Sequence, residues 1–308
     1  MVHRFEFFST ARLRVPVCAF LVLAFAGCDN QQSLSPESDQ AVSGVEAVPE
    51  LASASFAGGI PIGNFNQPIT AYGATFNGAH ENSGPESLVR DLAQIKAQGG
   101  KVVLALSGSP KYYLDGKRFS MSKWKARLDR FKNVNFSSYI NDGTVIGHYM
   151  IDEPNDPANW GGQPVSTSAL EEMGKYSKQL WPNLATIVRV DPKYLSSSHK
   201  YVDAAWAQYL HRRGDVGNYA RTMVAEAQKK GVQLIVGLNV LKGGNPNGTP
   251  MSSSEVEQFG NALLATTYPC AFINWKYTSS YMASSSIKSA MGNLRKKAEN
   301  RPTKSCRA

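Results

Sequence analysis

Cysteine is scarce in this chain, with four in 308 residues. That excludes a small scaffold knitted by disulfides. Long apolar runs are scarce as well. The most apolar stretch, 15–26, falls short of the roughly 18 residues that a bilayer-spanning helix needs, so a multi-pass membrane protein is excluded. At 42% hydrophobic and 10% aromatic residues, the chain is too apolar for a disordered or collagen-like protein. There is no Gly-rich phosphate loop after the first apolar run, which disfavours a dinucleotide-binding sheet. No G-x-S-x-G elbow, HExxH or paired-Cys spacing occurs, so a serine hydrolase and the common zinc sites are disfavoured, and neither cofactor nor metal is expected. Acid is in short supply: 24 Asp and Glu stand against 33 Lys and Arg, a formal charge of +9. No nucleic-acid motif accompanies that excess. Basic runs such as 123–132 and 295–297 read as solvated helix faces, and no nucleic-acid partner is expected.

The N-terminus carries Arg4, Arg12 and Arg14, then the apolar stretch, then Phe25-Ala26-Gly27-Cys28. This resembles the lipobox of bacterial lipoproteins, which implies cleavage before Cys28, a lipid on that cysteine and a membrane-anchored, exported protein. An ordinary signal peptide cut near Ala26 is the alternative, and export follows from both. Residues 28–50 hold five acids, no Lys or Arg and few apolar groups, the composition of a flexible tether. The expected organisation is therefore a signal over 1–27, a tether over 28–50 and one domain over 51–308. Because the signal bears three Arg and one Glu, and the tether only acids, the domain carries about +12. Cys18 falls in the signal. Cys270 and Cys306 remain, and an oxidising compartment invites a disulfide between them, with two free thiols as the alternative.

From residue 60 onward, short apolar runs alternate with amphipathic stretches. Strands are expected over 70–76, 101–107, 144–152, 185–191, 202–209, 232–240 and 271–277, apolar on both faces as in a buried parallel sheet. Helices are expected over 86–98, 168–180, 218–230, 254–266 and 286–297. Two of them open on capping patterns, Ser168-x-x-Glu171 and Ser254-x-x-Glu257. Seven strands with intervening helices predict a (β/α)8 barrel with one strand short or hidden near 59–65, and the link at 192–201 is too short for a helix.

Barrel enzymes carry their chemistry at the C-terminal strand ends. Here those ends hold Asn77, Ser107, Asp152, Glu153, Asp191, Gln208, Tyr209, Asn239 and Trp275. Polar and aromatic groups in that arrangement suit a sugar, which needs hydrogen bonds for its hydroxyls and flat faces for its C–H surfaces. The segment Ile151-Asp152-Glu153-Pro154 is the most informative. Strand alternation groups Glu153 with Tyr149 and Ile151, and Asp152 with His148 and Met150. Glu153 against Tyr149 and apolar walls would have a raised pKa suited to a general acid, with Asp152 orienting it or the substrate. A strand-end cap, with both carboxylates accepting backbone N–H bonds in the turn, is the alternative. Trp160 reads as an exposed sugar platform. Trp206 and Trp275 read as stacking surfaces or core filler, Asn239 and Gln208 as hydrogen-bonding groups. Arg189 reads as a partner of Glu153 or Asp191, or as a site for an anionic substrate.

These residues resemble the glycoside hydrolase superfamily of (β/α)8 barrels, many of which carry their acid/base glutamate in Asn-Glu-Pro at a strand end. The resemblance implies hydrolysis of O-glycosidic bonds, with Glu153 as acid/base and a carbohydrate, anionic or neutral, as partner. There are two departures. Asp152 stands where Asn is usual, and the strand over 271–277 offers no glutamate nucleophile. Asp191, ending the adjacent strand, is one replacement, at roughly 5 Å for retention or 6.5–9.5 Å for inversion. A second route resembles the hexosaminidases, where an adjacent Asp-Glu pair uses the substrate's acetamido group. A third reading is a non-catalytic sugar-binding barrel that has lost its nucleophile.

Overall fold

The computed structural model describes residues 58–308. Cys28, the signal and the tether lie outside the described residues. Eight parallel strands close a barrel: β1 (Ile62–Phe65), β2 (Gly78–Glu81), β3 (Lys101–Leu104), β4 (Val145–Asp152), β5 (Thr186–Arg189), β6 (Ala204–Tyr209), β7 (Gln233–Leu238) and β8 (Ala271–Asn274). Each strand pairs with its sequence neighbours, and Ile62 against Phe272 joins the last strand to the first. The hidden strand is β1. Where 70–76 is expected to be a strand, the chain makes a single 3-10 turn at Ile69–Ala71, and the ladder begins at Gly78. Tyr72 and Phe76 are buried as the reading requires, but against the outer layer. The strand itself, Gly-Ala-His-Glu, is too small and polar to announce its burial.

The helices around the barrel are α1 (Leu88–Ala97), α2 (Met121–Asp129), α3 (Thr167–Leu180), α4 (Val216–Lys230), α5 (Ser253–Leu263) and α6 (Ser285–Glu299). Their starts correct the expected caps by two residues. Ser166, not Ser168, accepts from the Ala169 amide, and the capping box is formed by Ser252 and Glu255. Alternating hydroxyls allow either register; the chosen one buries Val256, Phe259 and Leu263 against the barrel. Between β5 and β6 there is only a 3-10 turn, Pro192–Tyr194, as the short link implies.

Strand alternation sorts the apolar side chains into two layers. Val102 and Leu104 face the helices, while Val103, Ile187, Ile235 and Ile273 fill the lumen below an aromatic layer of Phe65, Tyr149 and Trp206. The floor of the lumen is closed by Cys270 and Cys306, which form the expected disulfide with Cα atoms 5.3 Å apart. Asp203 lies at this end too, accepting from Lys178 at 2.6 Å and the Thr186 amide at 2.8 Å. It supports the strand start and is remote from the mouth. Asn77 also belongs to the strand starts, its side chain accepting from the Ile62 amide at 2.9 Å.

Candidate functional site

The outcome at the acidic pair turns on one extra residue in β4. Tyr149 stands opposite Ile187 of β5, but Ile151 stands opposite Val188, so two residues of β4 span one of its neighbour. This bulge reverses the alternation beyond it. Ile151 is buried in the outer layer, and Asp152 shares a cavity with Tyr149. The expected grouping of Glu153 with Tyr149 is thereby corrected. Glu153 instead has a side chain 45% exposed, with Arg189 Nη2 at 3.4 Å from its carboxylate.

Glu153 also has φ +39°, in the region that side chains with a Cβ rarely adopt. Among the described residues only Asn66 shares that property without being glycine, and it too lines the barrel mouth. Strain of this kind persists where the surroundings over-determine it. The Glu153 amide donates to the Arg189 carbonyl at 3.0 Å, and its carbonyl accepts from Trp160 Nε1 and the Asp156 amide, each at 3.0 Å. Trp160 is thus a clamp on the acidic turn. It is buried against Tyr113 and Phe119 rather than offered as an exposed platform.

Arg189 is the hub of the mouth. Its buried guanidinium donates to Asp152 and, at 2.6 Å, to Gln208 Oε1, and it lies 4.8 Å from the Trp275 ring centre. Burial alone would lower its pKa; Asp152 foremost among its neighbours outweighs that, and the pKa is raised. Arg189→Met is expected to cost about 3 kcal/mol, because Asp152 is left without its counter-charge in a largely enclosed place. Urea midpoints would show it, and adding Asp152→Asn should return most of the loss. A double variant no better than the single would contradict the pairing.

Two cavities open on either side of this hub. The first, about 490 Å³, is lined by Asp152, Tyr149, Trp275 and Phe65 together with groups from the loops after β1, β2 and β3. The second, about 420 Å³, is lined by Glu153, Arg189, Asp191, Trp206, Gln208 and Asn239. Adjacent in sequence, Asp152 and Glu153 open into different cavities. Glu153 and Asp191, which end different strands, line the same one. Asp191 is buried and ion-paired with Arg213 Nη1 at 2.5 Å. Asn239 contributes a half-buried amide whose Oδ1 accepts from the Lys242 amide at 3.1 Å. Trp206 lines the second cavity with a buried ring whose Nε1 donates to the Ile273 carbonyl at 3.2 Å. Tyr209 is corrected: it faces the helices, donating to the Gly214 carbonyl at 2.6 Å and packing on Tyr219 and Phe259.

Sequence reasoning missed His80 and Arg213. His80 stacks on Phe65 with ring centres 3.6 Å apart in the lumen, and burial holds its pKa down at about 3. Misplacing β2 hid it. Arg213 had a visible signal, since His211-Arg212-Arg213 follows a strand end. His148 lies on the outer side of β4, its Nδ1 2.9 Å from Ser177 Oγ, and so belongs to neither cavity. Among the described residues, no three His, Cys, Asp or Glu side chains are grouped to hold a metal ion.

No family model matches the sequence, and no curated protein does. Solved structures with the same architecture are numerous. A β-glucanase, SdGluc5_26A from Saccharophagus degradans, aligns with TM-score 0.56 at 9% identity over 79% of this chain and 89% of its own. A candidate α-L-fucosidase from Bacteroides thetaiotaomicron aligns with TM-score 0.51 at 15% identity, covering 85% of this chain and 99% of its own. A GH2 β-galacturonidase from Eisenbergiella tayi, bound to galacturonate, gives 0.51 at 10% identity over 79% of this chain and 52% of its own. At such identities the likeness establishes the (β/α)8 fold.

Proposed function

We propose that this chain is a glycoside hydrolase of the (β/α)8 type, acting on O-glycosidic bonds of an oligo- or polysaccharide. The observation that carries this reading is that Glu153 and Asp191 line one cavity at the C-terminal mouth, each beside an arginine. Hydrolysis of a glycosidic bond needs one carboxyl group to protonate the leaving oxygen. It needs another to act on the far side of the ring, as nucleophile or as base on water. Glu153, the more exposed of the two, takes the proton-donating role. Asp191, ion-paired with Arg213, carries the negative charge that the second role requires. Asp152 acts through Arg189, whose guanidinium it anchors beside Glu153, and Gln208 holds the same guanidinium from the other side. Asn239 offers a hydrogen bond to a sugar hydroxyl. The sugar class is supported by this combination and by neighbours that are themselves glycosidases. Comparing wild type with Glu153→Gln on polysaccharides and aryl glycosides tests it.

A second reading, a sugar-binding barrel without catalysis, is favoured by the segment 271–277, which offers no glutamate nucleophile. It shares the same cavity and differs in having no turnover. The substrate-assisted route through an adjacent Asp-Glu pair draws no support from the geometry, because Asp152 is turned to Arg189 and the first cavity.

We further infer from Phe25-Ala26-Gly27-Cys28 that the mature protein begins at Cys28, carries lipid there and works at a bacterial membrane surface. Mass spectrometry of the mature N-terminal peptide should find a lipid-modified Cys28. An unmodified N-terminus at residue 27 would instead establish an ordinary signal peptide.

A further inference from the structure

The first cavity carries an imbalance of charge that the carbohydrate reading does not by itself explain. Lys111, Arg127 and Arg130 line one wall, and Asp152 is the sole carboxylate in the lining. Asp152 is already tied to Arg189. None of the three wall cations forms an ion pair among the described residues.

Both arginines nevertheless donate to backbone carbonyls, Arg127 from a half-buried position and Arg130 from an exposed one. Arg127 is half-buried, its Nε donates to the Ser107 carbonyl at 3.1 Å, and its guanidinium lies 4.2 Å from the Tyr112 ring centre. Arg130 Nε donates to the Arg127 carbonyl at 3.1 Å. Burial first, and then the neighbouring Arg127 charge, push the Arg130 pKa down, with Glu86 compensating only in part. Like charges fixed on one wall repel each other, and an anion between them removes that cost. The same cavity is lined by Trp275, a flat surface for the C–H face of a sugar ring, and by Asn66 and Asn82, whose amides bond to each other at 2.9 Å and keep a donor and an acceptor for hydroxyls.

We propose that this cavity receives a sugar residue bearing a carboxylate or a sulfate ester, with Arg127 and Arg130 meeting the anion and Lys111 adding charge at the rim. The planar guanidinium fork matches either group through paired N–H donors, which a neutral hydroxymethyl group does not reward. The proposal rests on the carbohydrate reading of the mouth and names the substrate class.

The test is calorimetric binding of the full chain to matched oligosaccharides. Uronic-acid chains are set against their carboxyl-reduced counterparts, and sulfated chains against their desulfated ones, so each pair differs in the charged group alone. The charged member of one kind of pair is expected to bind about tenfold or more tightly, from one or two charge-assisted hydrogen bonds. Which kind it is tells carboxylate from sulfate. Arg127→Gln with Arg130→Gln should abolish that preference and leave the neutral chain's affinity unchanged. Lys111→Gln, at an exposed position, should reduce the preference without disturbing the thermal midpoint. Equal binding of charged and neutral members, or a preference that survives the double variant, overturns the proposal while leaving the carbohydrate reading standing. Binding of no sugar at all, charged or neutral, overturns both.

Discussion

Glu153→Gln is expected to slow hydrolysis by about 10² to 10⁴-fold, the usual worth of a positioned general acid, while the affinity for oligosaccharide stays near that of the wild type. The effect should depend on the leaving group. A dinitrophenyl glycoside departs without protonation, so it should suffer least, and an alkyl or sugar leaving group most. Asp191→Asn should instead depress both, because the attack on the ring is lost whatever departs. Equal rates for wild type and Glu153→Gln would remove Glu153 from the mechanism. Wild type with no turnover but intact binding would establish the non-catalytic barrel. The amide in Glu153→Gln is nearly isosteric, and Trp160 and Asp156 hold the backbone of that turn rather than its side chain. A folding defect therefore does not imitate the expected result.

Stability should fall steeply in acid, and the slope can be assigned to named groups. His80 and His148 are buried, and burial lowers both from the ordinary 6.5 to about 3 in the folded state. Between those values the unfolded chain binds two protons that the native state refuses, so stability is fully present above pH 6.5 and is lost as pH falls. Glu81 works in the opposite sense. Burial, with Asp91 adding to it, raises its carboxyl to about 8, so from pH 8 down to 4.5 the native state holds a proton that the unfolded chain releases. Two protons against one leave a net loss of about 1.4 kcal/mol per pH unit between 6.5 and 4.5. Below 4.5 the offset from Glu81 ends and the net loss doubles to about 2.7 kcal/mol per unit, with ion-paired carboxylates adding to it. Urea midpoints measured from pH 7 to 4.5 test this. His148→Gln should flatten the profile over that window, and Glu81→Gln should steepen it to about twice the wild-type slope. Stability rising from pH 6.5 to 4.5 would show that both histidines protonate inside the fold, and a flat profile that one of them does.

Much of this was legible in the linear chain, because burial leaves a period. Runs of Val, Ile and Leu apolar on both faces required a parallel sheet covered by helices, and six of the seven expected strands overlap the ones that form. The exception, β2, has little apolar character of its own; its position is set by ladder bonds to β1 and β3. The strand-end principle likewise picked out Glu153, Asp191, Gln208 and Asn239, which the structure brings to one cavity with Arg189, read from the sequence as their partner. It failed for Tyr209, one residue past Gln208, because adjacent positions on a strand face opposite ways. It failed for Trp160, whose loop position gave no sign that the indole would turn inward to the Glu153 carbonyl. Composition also read Arg127 as solvated surface, whereas it is half-buried; Arg130 is exposed as that reading has it, yet both line the first cavity.

Scarcity of cysteine, absence of a spanning apolar run and alternation of strand and helix determined a single barrel with one spare pair of cysteines. Those properties depend on composition and on period, which any short window of sequence displays. Which carboxylate meets which cavity depended instead on one bulge in β4, and a bulge is defined by the register between two strands. The same holds for Arg189, which became the centre of the mouth because β4, β6 and β8 bring Asp152, Gln208 and Trp275 around it. Pairings of that kind join positions far apart in the chain, so only closure of the barrel could decide them.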